Sequence, residues 1–295
     1  MVSAGASSRP RQAPELGGTG RISAAFHAQS PDLRLPPHRV DHGSAILKNG
    51  NLVMPYTYAE IAKMIDHSLL QPFLTAAELE SGIQLAVQYD VASVCIVPCY
   101  LRRCAELLKG STVKASTTIG FPHGGHATAT KVAEARLALD DGGEELDMVV
   151  NIGKVIGGDW SYVQDDIGAV IEVTHARGRK VKVIFENCYL NDDQKIRLCE
   201  IASELRADWV KTSTGYGTGG ATIEDLVLMR RHAAAGVQVK AAGGIRDLDA
   251  LLRAREAGAT RVGASRTSDM LDECRRRRGL RELPKPVPAT NQSGY

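Results

Sequence analysis

Three lysines stand inside apolar, strand-like stretches of this 295-residue chain. Lys182 lies in "KVKVIFE" (180–186), Lys211 in "WVKTSTGYG" (209–217) and Lys240 in "VQVKAAGG" (237–244). A buried ammonium is expensive to desolvate, so its repetition asks for a chemical reason. A lysine amine is a nucleophile only when neutral, and at its reference pKa of about 10.4 only ~1 in 2,500 is neutral at pH 7. Burial and a second nearby cation both lower that pKa. Crowded lysines supply both, and the product is an amine able to form a Schiff base with a carbonyl. Asp147, in "ELDMVVNI" (145–152), is the acid that would balance charge and move protons. The plainer alternative is that each lysine pairs with an acid such as Asp147 or Glu186. Three lysines against so few interior acids favour the chemical reading.

The elements that would position these residues alternate regularly. Strand candidates are 62–66, 92–97, 113–120, 145–152, 180–186, 207–213, 237–242 and 260–265. Helical patterns lie between them, among them 75–89, 130–142 and 222–236, the last opening at Thr222 and closing at Gly236. Such alternation predicts a parallel sheet. Eight units predict a closed (β/α)8 barrel over 56–280. An open doubly wound sheet is the alternative, and no GxGxxG follows the first strand to support it. Side chains alternate along a strand, so parity sorts them. Val181, Val183 and Phe185, with Leu146, Met148 and Val150, face the helices. Lys182, Ile184 and Glu186, with Asp147, Val149 and Asn151, face the lumen. Lys211 shares a face with Trp209 and Ser213, and Lys240 with Gln238 and Ala242. Asp66 ends the first strand, and Cys95 stands in the second. The polar set gathers toward the C-terminal ends, where sites of this architecture form.

Glycine gives a second signal. "TGYGTGG" (214–220) with Gly215 follows strand 6, "GGIRD" (243–247) with Gly243 and Gly244 follows strand 7, and "GAS" (263–265) ends strand 8 with Gly263 and Ser265. Backbone N–H groups on such loops can cradle a phosphate. "FPHGGH" (121–126) offers His123 and His126, but a metal site needs further ligands that the spacing does not provide. Cys95 is either a reactive thiol beside lysines or a small core residue.

Composition narrows the rest. A chain 43% hydrophobic and 24% charged can bury a full core, and a net charge of +2 exerts no global pull on nucleic acid or anionic membrane. No apolar run reaches the length of a membrane span, and no secretory segment follows Met1, so a cytoplasmic protein is expected. Six cysteines without a CxxC pair suit free thiols in a reducing compartment. Residues 1–55 are rich in Ser, Gly, Pro and Arg and predict a disordered extension, with a faint likeness to a transit peptide in the first forty. Residues 281–295 predict a flexible tail. The basic run in "ECRRRRGLRELPKPVP" (273–288) reads as a solvated helix end; no aromatic residues interleave with it to suggest nucleic acid.

Together the motifs "MIDHSLL", "SVCIVPCYL", "TTIGFPHG", "ELDMVVNIG", "KVIFE", "VKTSTGYGTGGAT", "VKAAGGIR" and "RVGAS" resemble the deoxyribose-phosphate aldolase family over roughly 56–270. The resemblance implies a (β/α)8 barrel and a class I aldolase that uses no metal or other cofactor. Its phosphosugar substrate would be 2-deoxy-D-ribose 5-phosphate, split into D-glyceraldehyde 3-phosphate and acetaldehyde in deoxyribonucleoside catabolism. It implies that Lys182 forms the Schiff base and that Asp147 relays protons. Lys211 would lower the pKa of Lys182 and exchange protons. Gly243, Gly244, Gly263 and Ser265 would bind phosphate. The residues themselves add Gly215 to that cradle and Lys240, Asp66, Cys95 and Arg266 as supporting candidates. A homo-oligomer, dimer or tetramer, stays open as a partner. Asn187 stands where the family commonly has threonine, and Arg266 where it has a small or hydroxyl residue; both are expected to border the site. Two competing readings are another Schiff-base aldolase or transaldolase, and a phosphosugar-binding barrel without turnover.

Overall fold

The computed structural model describes residues 46–48, 51–53, 55–281 and 283–284. Eight parallel strands close into a barrel: β1 (Ile65–Leu69), β2 (Ser93–Ile96), β3 (Lys114–Ile119), β4 (Glu145–Val149), β5 (Lys180–Ile184), β6 (Trp209–Lys211), β7 (Gln238–Ala242) and β8 (Arg261–Ala264). Each pairs with the next in chain order, and β8 returns to β1 through Val262, Gly263 and Ala264 opposite Ile65, Asp66 and His67. The open-sheet alternative is thereby excluded.

Period-2 alternation builds the two sides of the wall. Val181, Val183, Phe185, Leu146, Met148 and Val150 join the apolar core packed under the helices. Val149, Ile184 and Trp209 are as deeply buried yet lie outside that core, on the inner side. Helix starts follow their caps. Thr75 and Glu78 form a reciprocal capping box at Ala76–Gln88, and Thr222 caps Ile223–His232.

Several boundaries differ from the sequence reading. The first strand starts at Ile65, not 62, because Thr57 and Glu60 cap a helix, Tyr58–Ala62, just before it. The helix from Ile223 ends at His232, so Gly236 is not its cap. Arg230 turns the chain there by donating to the carbonyls of Ala233, Ala234 and Val237. Ile46–Lys48 pairs antiparallel with Asn51–Val53, where no strand was expected. The sequence between them is Asn49-Gly50, a strong two-residue hairpin signal. The rest of the expected extension, and nearly all of the C-terminal tail, lies outside the described residues.

The basic run is absorbed by the fold. Arg277 pairs with Asp249 and Glu273, Arg276 with Glu273, and Arg278 donates to the Tyr56 carbonyl. Arg275 lies over the Tyr58 ring. Arg275 and Arg278 thereby fasten the last helix, Thr267–Arg277, to the first, and Arg277 ties it to the helix Leu248–Glu256. Among the described residues no helix is long and apolar enough to cross a membrane.

Candidate active site

Inward-facing residues of six strands meet in one ionic network. Asp147 on β4 is fully buried and divides its carboxylate. Its Oδ1 accepts from Lys182 at 2.8 Å, and its Oδ2 accepts from Lys211 and Lys240, both at 2.7 Å. Glu145, two residues earlier on the same face, lies 2.6 Å from Lys182 Nζ. Asp66 on β1 holds Lys240 at 2.5 Å and stands 3.6 Å from Lys182. Arg261 on β8 closes the ring, forking both oxygens of Glu145 at 3.1 Å and meeting Asp66 at 2.5 Å. Four cations face three carboxylates, which leaves one positive charge in excess.

Burial alone would raise Asp147, but the ammoniums of Lys182, Lys211 and Lys240 outweigh it and hold the carboxyl well below its usual range. Burial pulls all three lysines down, and their partners decide the outcome. Around Lys182, Asp147, Glu145 and Asp66 prevail and its pKa is raised. Lys240, between Asp147 and Asp66, is raised too. Lys211 has Asp147 as its one carboxylate partner and Lys240 beside it, and its pKa is lowered. Lys182, expected to be the depressed lysine, is therefore the raised one, and the lowered one is Lys211.

A cavity of about 170 Å³ opens above the network at the C-terminal ends of the strands. Lys211, Lys240, Asp66 and Cys95 line its base, while Gly215, Gly243, Gly244, Gly263 and Ser265 line its rim. Lys182 lies beneath, fully buried. Burial raises the Cys95 thiol, against a thiolate role at rest. Gly243 (φ +80) shows why the rim needs glycine. A Cβ there would stand 2.8 Å from Gly220, whose own Cβ would be 2.3 Å from the Gly243 carbonyl oxygen. Tyr216 bridges the mouth, donating to the Leu70 carbonyl at 2.6 Å with its ring edge-on to Phe121.

Other expected residues fall elsewhere. Glu186 meets no lysine; it adopts φ 59 and its buried carboxylate accepts from the backbone and hydroxyl of Thr214, fixing the loop after β6. Asn187, of the same parity as the helix-facing Val183 and Phe185, donates to Met229 and does not line the cavity. Arg266 is exposed at the N-cap of Thr267–Arg277 and does not line the cavity. Arg246, passed over in the sequence, does line it. His123 and His126 are exposed. Glu145 and Arg261 were also missed. Their parity with Asp147 and Gly263 was the available signal.

The family whose pattern matches is the DeoC/LacD family aldolase, over residues 60–270. The chain belongs to that family. It is an aldolase, a carbon–carbon lyase. The deoxyribose-phosphate aldolase of Rhodopirellula baltica is 64% identical over 240 residues, covering 81% of this chain and 99% of the relative. That of Thermococcus gammatolerans is 50% identical over 208 residues, covering 70% and 92%. Among solved structures, a deoxyribose phosphate aldolase from Aeropyrum pernix, described as having a unique tetrameric structure, superimposes with a TM-score of 0.70 at 29% identity, covering 74% of this chain and 92% of that one.

Proposed function

We propose that this aldolase cleaves 2-deoxy-D-ribose 5-phosphate reversibly into D-glyceraldehyde 3-phosphate and acetaldehyde through a lysine imine. The observation that carries the reading is one buried carboxylate, Asp147, joined to three lysines beneath a glycine-lined cavity. The Lys182 amine adds to C1 of the open-chain sugar, and loss of water gives the iminium. Lys182 reacts in its neutral form, its proton leaving along Asp147, whose other oxygen holds Lys211 at the base of the cavity. Removal of the C3 hydroxyl proton then breaks the C2–C3 bond. The electron pair passes into the iminium, glyceraldehyde 3-phosphate departs, and protonation of the enamine at C2 followed by hydrolysis frees acetaldehyde. The rim glycines and Ser265 offer donors to the phosphate, with the Arg246 guanidinium beside them. The bare residues call for no metal or cofactor. A homo-oligomer in the cytoplasm, acting in deoxyribonucleoside catabolism, fits this chemistry.

One observation favours a second reading, in which Lys211 forms the imine: it lines the cavity and Lys182 does not. Borohydride reduction with substrate, followed by peptide mass mapping, separates the two. An acetaldehyde-sized adduct on Lys182 is expected. An adduct on Lys211 exchanges the two roles, and no adduct on any lysine refutes imine chemistry.

A further inference from the structure

Lys182 contacts three carboxylates, and they are not equivalent. Asp147 is shared with Lys211 and Lys240, and Asp66 with Lys240. Glu145 is the one that serves no other lysine among the described residues, and at 2.6 Å it is also the nearest. Its carboxylate cannot swing freely, because both oxygens sit in the Arg261 fork. Arg261 is itself held by Asp66 and lies over the Trp209 ring at 4.9 Å. This clamp sits on the side of Lys182 away from the cavity. The lysine is thereby drawn below the surface that Lys211 and Lys240 reach.

We infer that Glu145, locked by Arg261, is a positioning residue: it retains the Lys182 ammonium below the cavity and sets the pH at which that amine becomes free to attack. The inference rests on Lys182 being the imine lysine. Charged or titratable groups face it from β1 (Asp66), β2 (Cys95), β4 (Glu145 and Asp147), β6 (Lys211), β7 (Lys240) and β8 (Arg261), while β3 contributes the hydroxyls of Ser116 and Thr118. Replacing Glu145 removes one negative charge that acts on Lys182 directly, and leaves the Asp147 relay in place.

The test compares the full-length enzyme with Glu145→Gln and Glu145→Asp. The rate of borohydride trapping with acetaldehyde is measured from pH 5 to 10, and each adduct is mapped. Glutamine keeps an oxygen for Arg261 and loses the charge that holds the ammonium. The acid limb of the trapping profile should then move down by about one pH unit or more, so that trapping at its foot runs about tenfold faster. Aspartate keeps the charge but retracts it by one methylene; its shift should be smaller and in the same direction. A limb that stays put in the variants, with the adduct still on Lys182, overturns the inference and leaves Glu145 as scaffold. If the glutamine variant does not fold, an unmoved limb in the aspartate variant overturns it equally. An adduct on Lys211 in the unmutated enzyme is a different result: it removes the imine assignment before any variant is compared.

Discussion

Lys182 and Lys211 hang on the two oxygens of a single carboxylate, at 2.8 and 2.7 Å from Asp147. They stand on neighbouring strands, yet their partners shift their pKa values in opposite directions. The shared carboxylate joins the two amines by a path of two hydrogen bonds. Three tests follow from this site, and a fourth from the wall beside it.

Asp147→Asn should reduce kcat by about 10²–10⁴-fold, the usual worth of a placed proton-transfer group. It also leaves three buried ammoniums short of a counter-charge, so unfolding in urea should require about 3–5 kcal/mol less. Steady-state kinetics and urea titration of one preparation check both.

Lys211→Met tests the depressed amine through stability. In the unmutated protein the unfolded chain binds a proton on Lys211 that the folded one does not, between the lowered folded pKa and about 10.4. Stability should therefore rise with pH across that window, relative to the variant. Lys182, raised, adds no such slope, because its contribution is present below its unfolded value and lost only above it. In urea titrations from pH 6 to 10 the unmutated protein should gain stability relative to the variant as pH rises; parallel curves would contradict the assignment.

Phosphate reading separates two arginines. Arg246→Met should raise KM for deoxyribose 5-phosphate roughly 10-fold or more, as loss of a charged hydrogen bond does, and leave unphosphorylated deoxyribose unaffected. Arg266→Ser, outside the cavity, should change neither substrate by more than about twofold. Comparing kcat/KM for both sugars decides it, and equal losses on the two substrates would point to a damaged loop.

His67, on β1, bonds Thr267 at 2.8 Å, and burial lowers its pKa to about 4. A depressed histidine must stay neutral in the fold, so stability is lost as pH falls from about 6.5 toward 4, by about 3 kcal/mol at most. His67→Gln should flatten that loss. Urea midpoints between pH 4 and 7 for the two proteins give the difference directly.

Strand parity was enough to gather Lys182, Lys211, Lys240 and Asp147 in one lumen, because alternation holds wherever a strand stays regular. It did not foresee that Glu186, with its left-handed φ, would turn its carboxylate to Thr214 and meet no lysine, and no pattern in "KVIFENC" announces that turn. The acids were undercounted for another reason. Glu145 and Arg261 sit at the starts of β4 and β8, at boundaries where charged residues usually mark a solvated end. Their mutual pairing, 116 residues apart in the chain, appears only once the barrel closes. Lysine crowding alone left the three amines equal; their carboxylate partners, which differ from lysine to lysine, separate them.

Trp209 gives this floor a voice in light. Its ring lies 5.5 Å from Lys182 Nζ and 4.9 Å from the Arg261 guanidinium. An indole's emission responds to the charges beside it, and turning that ammonium into an imine moves one of them. The chain has only one other tryptophan, Trp160, at the start of the helix Trp160–His175. A Trp160→Phe protein would carry a single fluorophore against the lysine proposed to react, so an imine formed there could be followed in a stopped-flow cell without any added label.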